Sequence, residues 1–188
     1  MKELGIFARL FAFVVVPALC LTGCARLLGV PQGLAPEDEP YLFDRSDPSF
    51  HLAKPCEDIT DEQVQKAGLK SAEEEKLETH KEGIDVCSYV TENLDLIMVT
   101  GVAYKLEALK RDTDIHDYMP GVEKQPAVAY TEEHFIGCSI AAETERGTVE
   151  VTFKTSAEVP RTVNEECEQA EKYFDLLIGE KLNEYRAN

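Results

Sequence analysis

Alternation between apolar and polar positions marks the middle and the later part of this chain. "IDVCSYV" at 84–90 and "LDLIMVTGVAY" at 94–104 read as two strands around a turn at Glu92-Asn93, and so as a hairpin. A shorter strand is expected at 127–131, "AVAYT". In "HFIGCSIAA", 134–142, the residues Ile136, Cys138, Ile140 and Ala142 fall on one face. In "TVEVTF", 148–153, Val149, Val151 and Phe153 alternate with Thr148, Glu150 and Thr152. Arg146-Gly147 supplies the turn between these last two. A period near 3.6 takes over at the carboxyl end. Val163, Cys167, Ala170, Phe174, Leu177 and Ile178 make one stripe, while Glu165, Glu166, Glu168, Glu171 and Asp175 lie largely off it. Thr162 and Glu165, just after Pro160, form a capping box that starts this helix.

A shorter helix is expected earlier. Thr60 can cap it, Gln63 can reach back, Ile59 can staple onto Val64, and Gly68 suits its exit. Residues 71–82 are nearly all polar and read as a loop or weak surface helix, and 105–125 read as mixed, polar connection. The pattern therefore predicts an α+β domain: an antiparallel sheet of about five strands, with an amino-terminal helix and a long carboxy-terminal helix packed on it.

The first 55 residues follow other rules. Lys2 and Arg9, with Glu3 between them, precede an apolar run at 10–21. That run is shorter than the roughly twenty residues a spanning helix needs, and Pro17 interrupts it. Residues 1–23 thus read as an export signal. They end in Leu21-Thr22-Gly23-Cys24, which resembles the bacterial lipobox. The resemblance implies a diacylglyceryl group on Cys24 and cleavage before it, so that Cys20 leaves with the leader. Residues 24–55 hold prolines at 31, 36, 40, 48 and 55 and read as an extended tether, with Tyr41-Leu42-Phe43-Asp44 an apolar patch that docks on the domain or meets a partner. The folded domain is then expected over 56–188.

Composition narrows the function. The chain has 19 Lys and Arg against 36 Asp and Glu, a formal net charge of −17. No nucleic-acid partner is expected of so acidic a surface. Past Cys24 stand Cys56, Cys87, Cys138 and Cys167, an even number with no C-x-x-C pair. Three connectivities exist. Cys138 lies on the apolar face of a strand and Cys167 on the apolar stripe of the last helix. Helix-on-sheet packing brings those faces together, so Cys138–Cys167 is preferred, leaving Cys56–Cys87. Each bridge closes a loop of about thirty residues, worth around 3.5 kcal/mol in chain-entropy estimates.

Pro55-Cys56, the capped helix ending at Gly68-Leu69, a strand centred on Cys87, Pro126-Ala127, a strand centred on Cys138, and a last helix with Cys167 form one series. The series resembles the uncharacterised actinobacterial lipoproteins classed as domain of unknown function 3558. Members often have Trp two residues after the second of these cysteines. This chain has Tyr89 there and no Trp at all. The resemblance implies an α+β domain in the cell envelope and no established reaction.

Candidate chemistry is sparse. Asp112, Asp114 and Glu123 stand at positions one, three and twelve of a calcium-loop pattern, but His116 is a poor ligand for calcium and Asp117 occupies the glycine position. A solvated acidic loop is the expectation, with no metal and no cofactor. His51, His80, His116 and His134 make no zinc-ligand spacing, and neither a G-x-S-x-G elbow nor a Gly-rich phosphate loop occurs. The expected function is a non-enzymatic lipoprotein domain on the outer face of the cytoplasmic membrane. It would be held there by the acyl chains and would bind an envelope protein, glycan or lipid. The alternatives are a ligand-sensing domain, or an enzyme whose site is assembled from His134, Tyr130 and the 112–117 loop.

Overall fold

A computed structural model of the chain describes residues 41–72, 83–116, 118–120, 127–131, 137–156 and 161–187. Seven antiparallel strands form one sheet: β1 (Lys70–Ser71), β2 (Ile84–Val90), β3 (Leu96–Val102), β4 (Asp114–Ile115), β5 (Ala127–Thr131), β6 (Cys138–Thr144) and β7 (Gly147–Lys154). Their order is β1-β2-β3-β7-β6-β5-β4. The β2–β3 hairpin turns at Glu92-Asn93, where Thr91 Oγ1 accepts from the amides of Asn93 and Asp95.

Register puts the apolar alternation on one face. Cys87 faces Val99, Val99 faces Val151, and Val151 faces Ile140 across four adjacent strands. Ile97, Phe153 and Cys138 form a second such row. Helix α4 (Val163–Leu177) covers this face with Cys167, Ala170, Phe174 and Leu177, all 1% exposed or less. The Tyr173 ring stacks on Phe153 at 6.1 Å. At the amino side of the same core lie α1 (Pro55–Asp58) and α2 (Asp61–Lys66), which bring Ile59, Val64, Ala67 and Leu69. Thr60 and Gln63 form the capping box of α2, and Gly68 leaves it at φ 69°, a conformation that costs glycine little.

The opposite face is polar yet buried: Thr100, Ser139, Thr148, Glu150 and Thr152 are each at most 7% exposed. Ser139 and Thr152 share a 2.6 Å hydroxyl hydrogen bond. Helix α3 (Leu106–Asp112) lies over β6 on this side, setting Leu106 and Leu109 against Tyr130 and Ala141. Disulfides join Cys56 to Cys87 and Cys138 to Cys167, with Cα separations of 5.7 and 5.0 Å.

Several expectations need correction. The sheet has seven strands rather than about five, because β1 and β4 are two-residue edge strands. Residues 105–125, read as connection, contain α3 and β4. The strand expected at 134–142 runs over Cys138–Thr144, with 132–136 outside the described residues. The long last helix is two, α4 and then α5 (Gly179–Arg186), separated at Ile178 (φ −112°). Gly179 weakens helix continuity there, and the break lets Tyr185 of α5 donate to Asp58 at 2.8 Å. Val163 is 39% exposed and Glu166 only 2%, the reverse of the expected stripe.

Residues ahead of Cys56 pack on the sheet and belong to one compact unit, Tyr41–Asn188. The Lys105 amide donates to Tyr41 O, and the Phe43 amide to Ala103 O. Farther on, Arg146 donates to the carbonyls of His51 and Leu52 and receives the Ala53 amide at its own carbonyl. Gly147, at φ 101°, allows this approach: a Cβ there would meet Val102 O at 2.4 Å and Leu52 at 3.1 Å. The Tyr41–Asp44 patch is therefore docked on the domain. The leader, Cys24 and the tether as far as residue 40 lie outside the described residues.

Candidate functional site

At one end of the sheet, where the Tyr41 segment reaches β3 and the β6–β7 turn meets α5, a cavity of about 560 Å³ opens. Its walls include Phe43, Lys105, Leu106, Lys110, Glu143 and Arg186. Local chemistry places each wall. Glu143, at the end of β6, accepts the Leu106 amide at 2.6 Å and so fixes the start of α3, which lacks a side-chain cap of its own. With α3 fixed, Leu106 turns into the sheet and Lys110 lies on an exposed side. Phe43 is held by its amide on Ala103 and by stacking on Phe50 at 5.4 Å.

Arg186 ends α5. Its Nη1 donates to Asn183 at a long 3.5 Å. Nε and Nη2 are buried and have no acceptor among the described residues. Burial pulls its pKa below the ordinary guanidinium value. Buried donors without partners are rare in folded proteins. The cavity thus combines two apolar side chains, three cations and the carboxylates Glu107, Glu143 and Glu145. Such a lining can hold a small charged ligand.

The residues singled out from sequence lie elsewhere. Tyr130 is 1% exposed under α3, and its hydroxyl donates to Glu150 at 2.5 Å. Burial, and then the Glu150 charge, pushes its phenol far above the ordinary range, so it serves as a donor within the fold. Asp112 ends α3, and Asp114 sits in β4 opposite Thr131. Asp117, Glu123 and His134 lie outside the described residues. His116 Nε2 lies 3.1 Å from the Thr131 hydroxyl. Among the described residues, no group of three or more His, Cys, Asp or Glu side chains is placed to hold a metal ion, and no helix is long and apolar enough to cross a membrane. Sequence reasoning missed Arg186, which lies past the last apolar position of its helix, and it missed α3 altogether.

A polar-backed antiparallel sheet, helices closing its apolar face and two disulfides define a small bridged α+β domain with one cavity wall built by its last helix. Residues 19–180 match the family described as protein of unknown function (DUF3558), and the chain belongs to that family. No curated protein and no solved structure matches it.

Proposed function

We propose that the protein is a lipoprotein of the cell envelope, anchored through acylated Cys24, whose domain binds a ligand without converting it. The pair of disulfides supports this reading best. Cys56–Cys87 and Cys138–Cys167 each tie a helix to the sheet, and such bridges persist in oxidising compartments outside the cytoplasm. The lipobox-like Leu21–Cys24 at the end of an apolar leader supplies the address. Two acyl chains suffice for stable anchoring, at about 0.8 kcal/mol per buried methylene. Anionic headgroups would repel so acidic a domain, which suits a proline-containing spacer between Cys24 and the domain. The candidate binding site is the cavity beside Arg186, where charged and apolar walls meet.

Fractionation of cells carrying the native chain and Cys24→Ser tests the anchor. The native protein is expected in the membrane fraction at a mass showing acylated Cys24 as residue one. The variant is expected in the soluble fraction. Equal membrane retention of both chains overturns the anchor.

A further inference from the structure

We propose that the cavity beside Arg186 is a binding site for a phosphate ester. The proposal rests on the binding role given above, but not on acylation of Cys24.

Arg186 brings an unsatisfied cation to this cavity. One edge of its guanidinium, Nε and Nη2, is enclosed by protein with nothing to accept from it. Among the described residues the side chain is tied by the long contact from Nη1 to Asn183, so its torsions can carry that edge into the cavity it lines. Two parallel N–H groups match two oxygens of one phosphate, a geometry that a lysine cannot supply.

The surrounding walls add further positive charge. Lys105 precedes α3, and Lys110 lies within it, so three cations from two distant parts of the chain line one space. This occurs in a protein whose net charge is −17. Three cations suit a phosphate better than a single carboxylate. Of the three carboxylates present, Glu143 is half-buried and turns one oxygen to the Leu106 amide, which orients it but leaves its charge in place. Glu107, Glu145 and Lys110 are exposed, so solvent and salt weaken their fields alike, and Arg186 with Lys105 supplies the less exposed positive charge. Phe43 and Leu106 give the carbon portion of an ester an apolar surface. The same chemistry serves a soluble phosphate ester and the headgroup of a phospholipid.

The full chain in neutral detergent is titrated calorimetrically with inorganic phosphate, with glycerol 1-phosphate and with dihexanoyl phosphatidylglycerol. Saturable one-to-one binding of at least one probe is expected. Tightest binding by glycerol 1-phosphate identifies a soluble ester, and tightest binding by the short-chain lipid identifies a headgroup. Arg186→Gln is expected to weaken binding about tenfold or more, Arg186→Lys to recover only part of it, and the surface change Lys110→Gln to weaken it less. The ligand-free melting temperature of Arg186→Gln is expected to stay near the native value, because the two buried donors have no protein acceptor and the Nη1 contact to Asn183 is long and exposed. Absence of saturable binding by all three probes overturns the proposal, as does binding unchanged in both Arg186→Gln and Lys110→Gln. Repeating the titration with Cys24→Ser separates the site from the anchor: binding is expected to persist when membrane retention is lost.

Discussion

Glu166 is an acid buried by a helix whose neighbouring acids face water. It sits beside Asp95, and the two respond oppositely to pH. Burial pushes the Glu166 carboxyl up, against the Thr155 amide that donates to it. Burial also acts to raise Asp95, but the Ser156 amide, Arg161 and Thr91 outweigh it and hold its carboxyl below the ordinary range. For Glu166 the folded pKa exceeds the unfolded value of about 4.3. Its ionised form therefore opposes folding at neutral pH, and stability rises as pH falls through the folded pKa. For Asp95 the folded pKa is the lower one. Its contribution is full above about pH 4 and is lost as pH falls through the folded pKa. Glu166→Gln is accordingly expected to raise stability at pH 7 by about 1 kcal/mol, since Gln keeps the acceptor for Thr155. Asp95→Asn is expected to lower it by about 2 kcal/mol by removing the charge that Arg161 pairs with, while Arg161 keeps Thr155 Oγ1. Urea unfolding of both variants between pH 3 and 7 checks the two signs. Neither role is legible in the residues alone: a glutamate among glutamates reads as solvated, and only the fold over Thr155 encloses this one.

At the scale of elements, capping chemistry was the most legible feature. Thr60–Gln63 and Thr162–Glu165 each form both hydrogen bonds of the box. The motif is local, so four residues suffice to specify it. Thr162→Ala is expected to destabilise the domain by about 1 kcal/mol, with α4 fraying first in amide exchange near Val163–Glu166. Short elements were the least legible. Helix α3 spans only seven residues and presents Leu106 and Leu109 as its buried pair, too little to reveal a period. Its start depends on Glu143, 37 residues away, which no local pattern exposes. The division of the last helix was hidden for the opposite reason. Leu177, Ile178, Leu182 and Tyr185 continue the helical spacing through Gly179, so the period runs on while the axis breaks.

Across the whole molecule, the main architecture follows from period. Strands of seven or eight residues alternate visibly, whereas the two-residue edges β1 and β4 are too short to alternate at all. The far face was illegible because Thr100, Ser139 and Glu150 are polar side chains inside the protein. The disulfides divide by depth. Cys138 and Cys167 are both 0% exposed, while Cys56 and Cys87 are only half-buried. Exchange requires an attacking thiolate to reach sulfur. Graded dithiothreitol followed by alkylation and mass spectrometry is expected to label Cys56 and Cys87 first, and to label Cys138 and Cys167 only where the domain unfolds.

The strand order places the middle of the sheet at the junction of β3 with β7, from Leu96 opposite Lys154 to Val102 opposite Thr148. A chain growing from its amino end can close the first hairpin early, with β1 already beside β2, but the other edge of that hairpin, along β3, finds no partner strand until β7 is available. The late arrival of β7 must bring β6 and α4 with it, because they complete the same core. The central pairing of the sheet thus joins segments about fifty residues apart, a non-local contact of the kind that slows folding. A polypeptide arranged this way can stay unfolded until nearly all of it has been made.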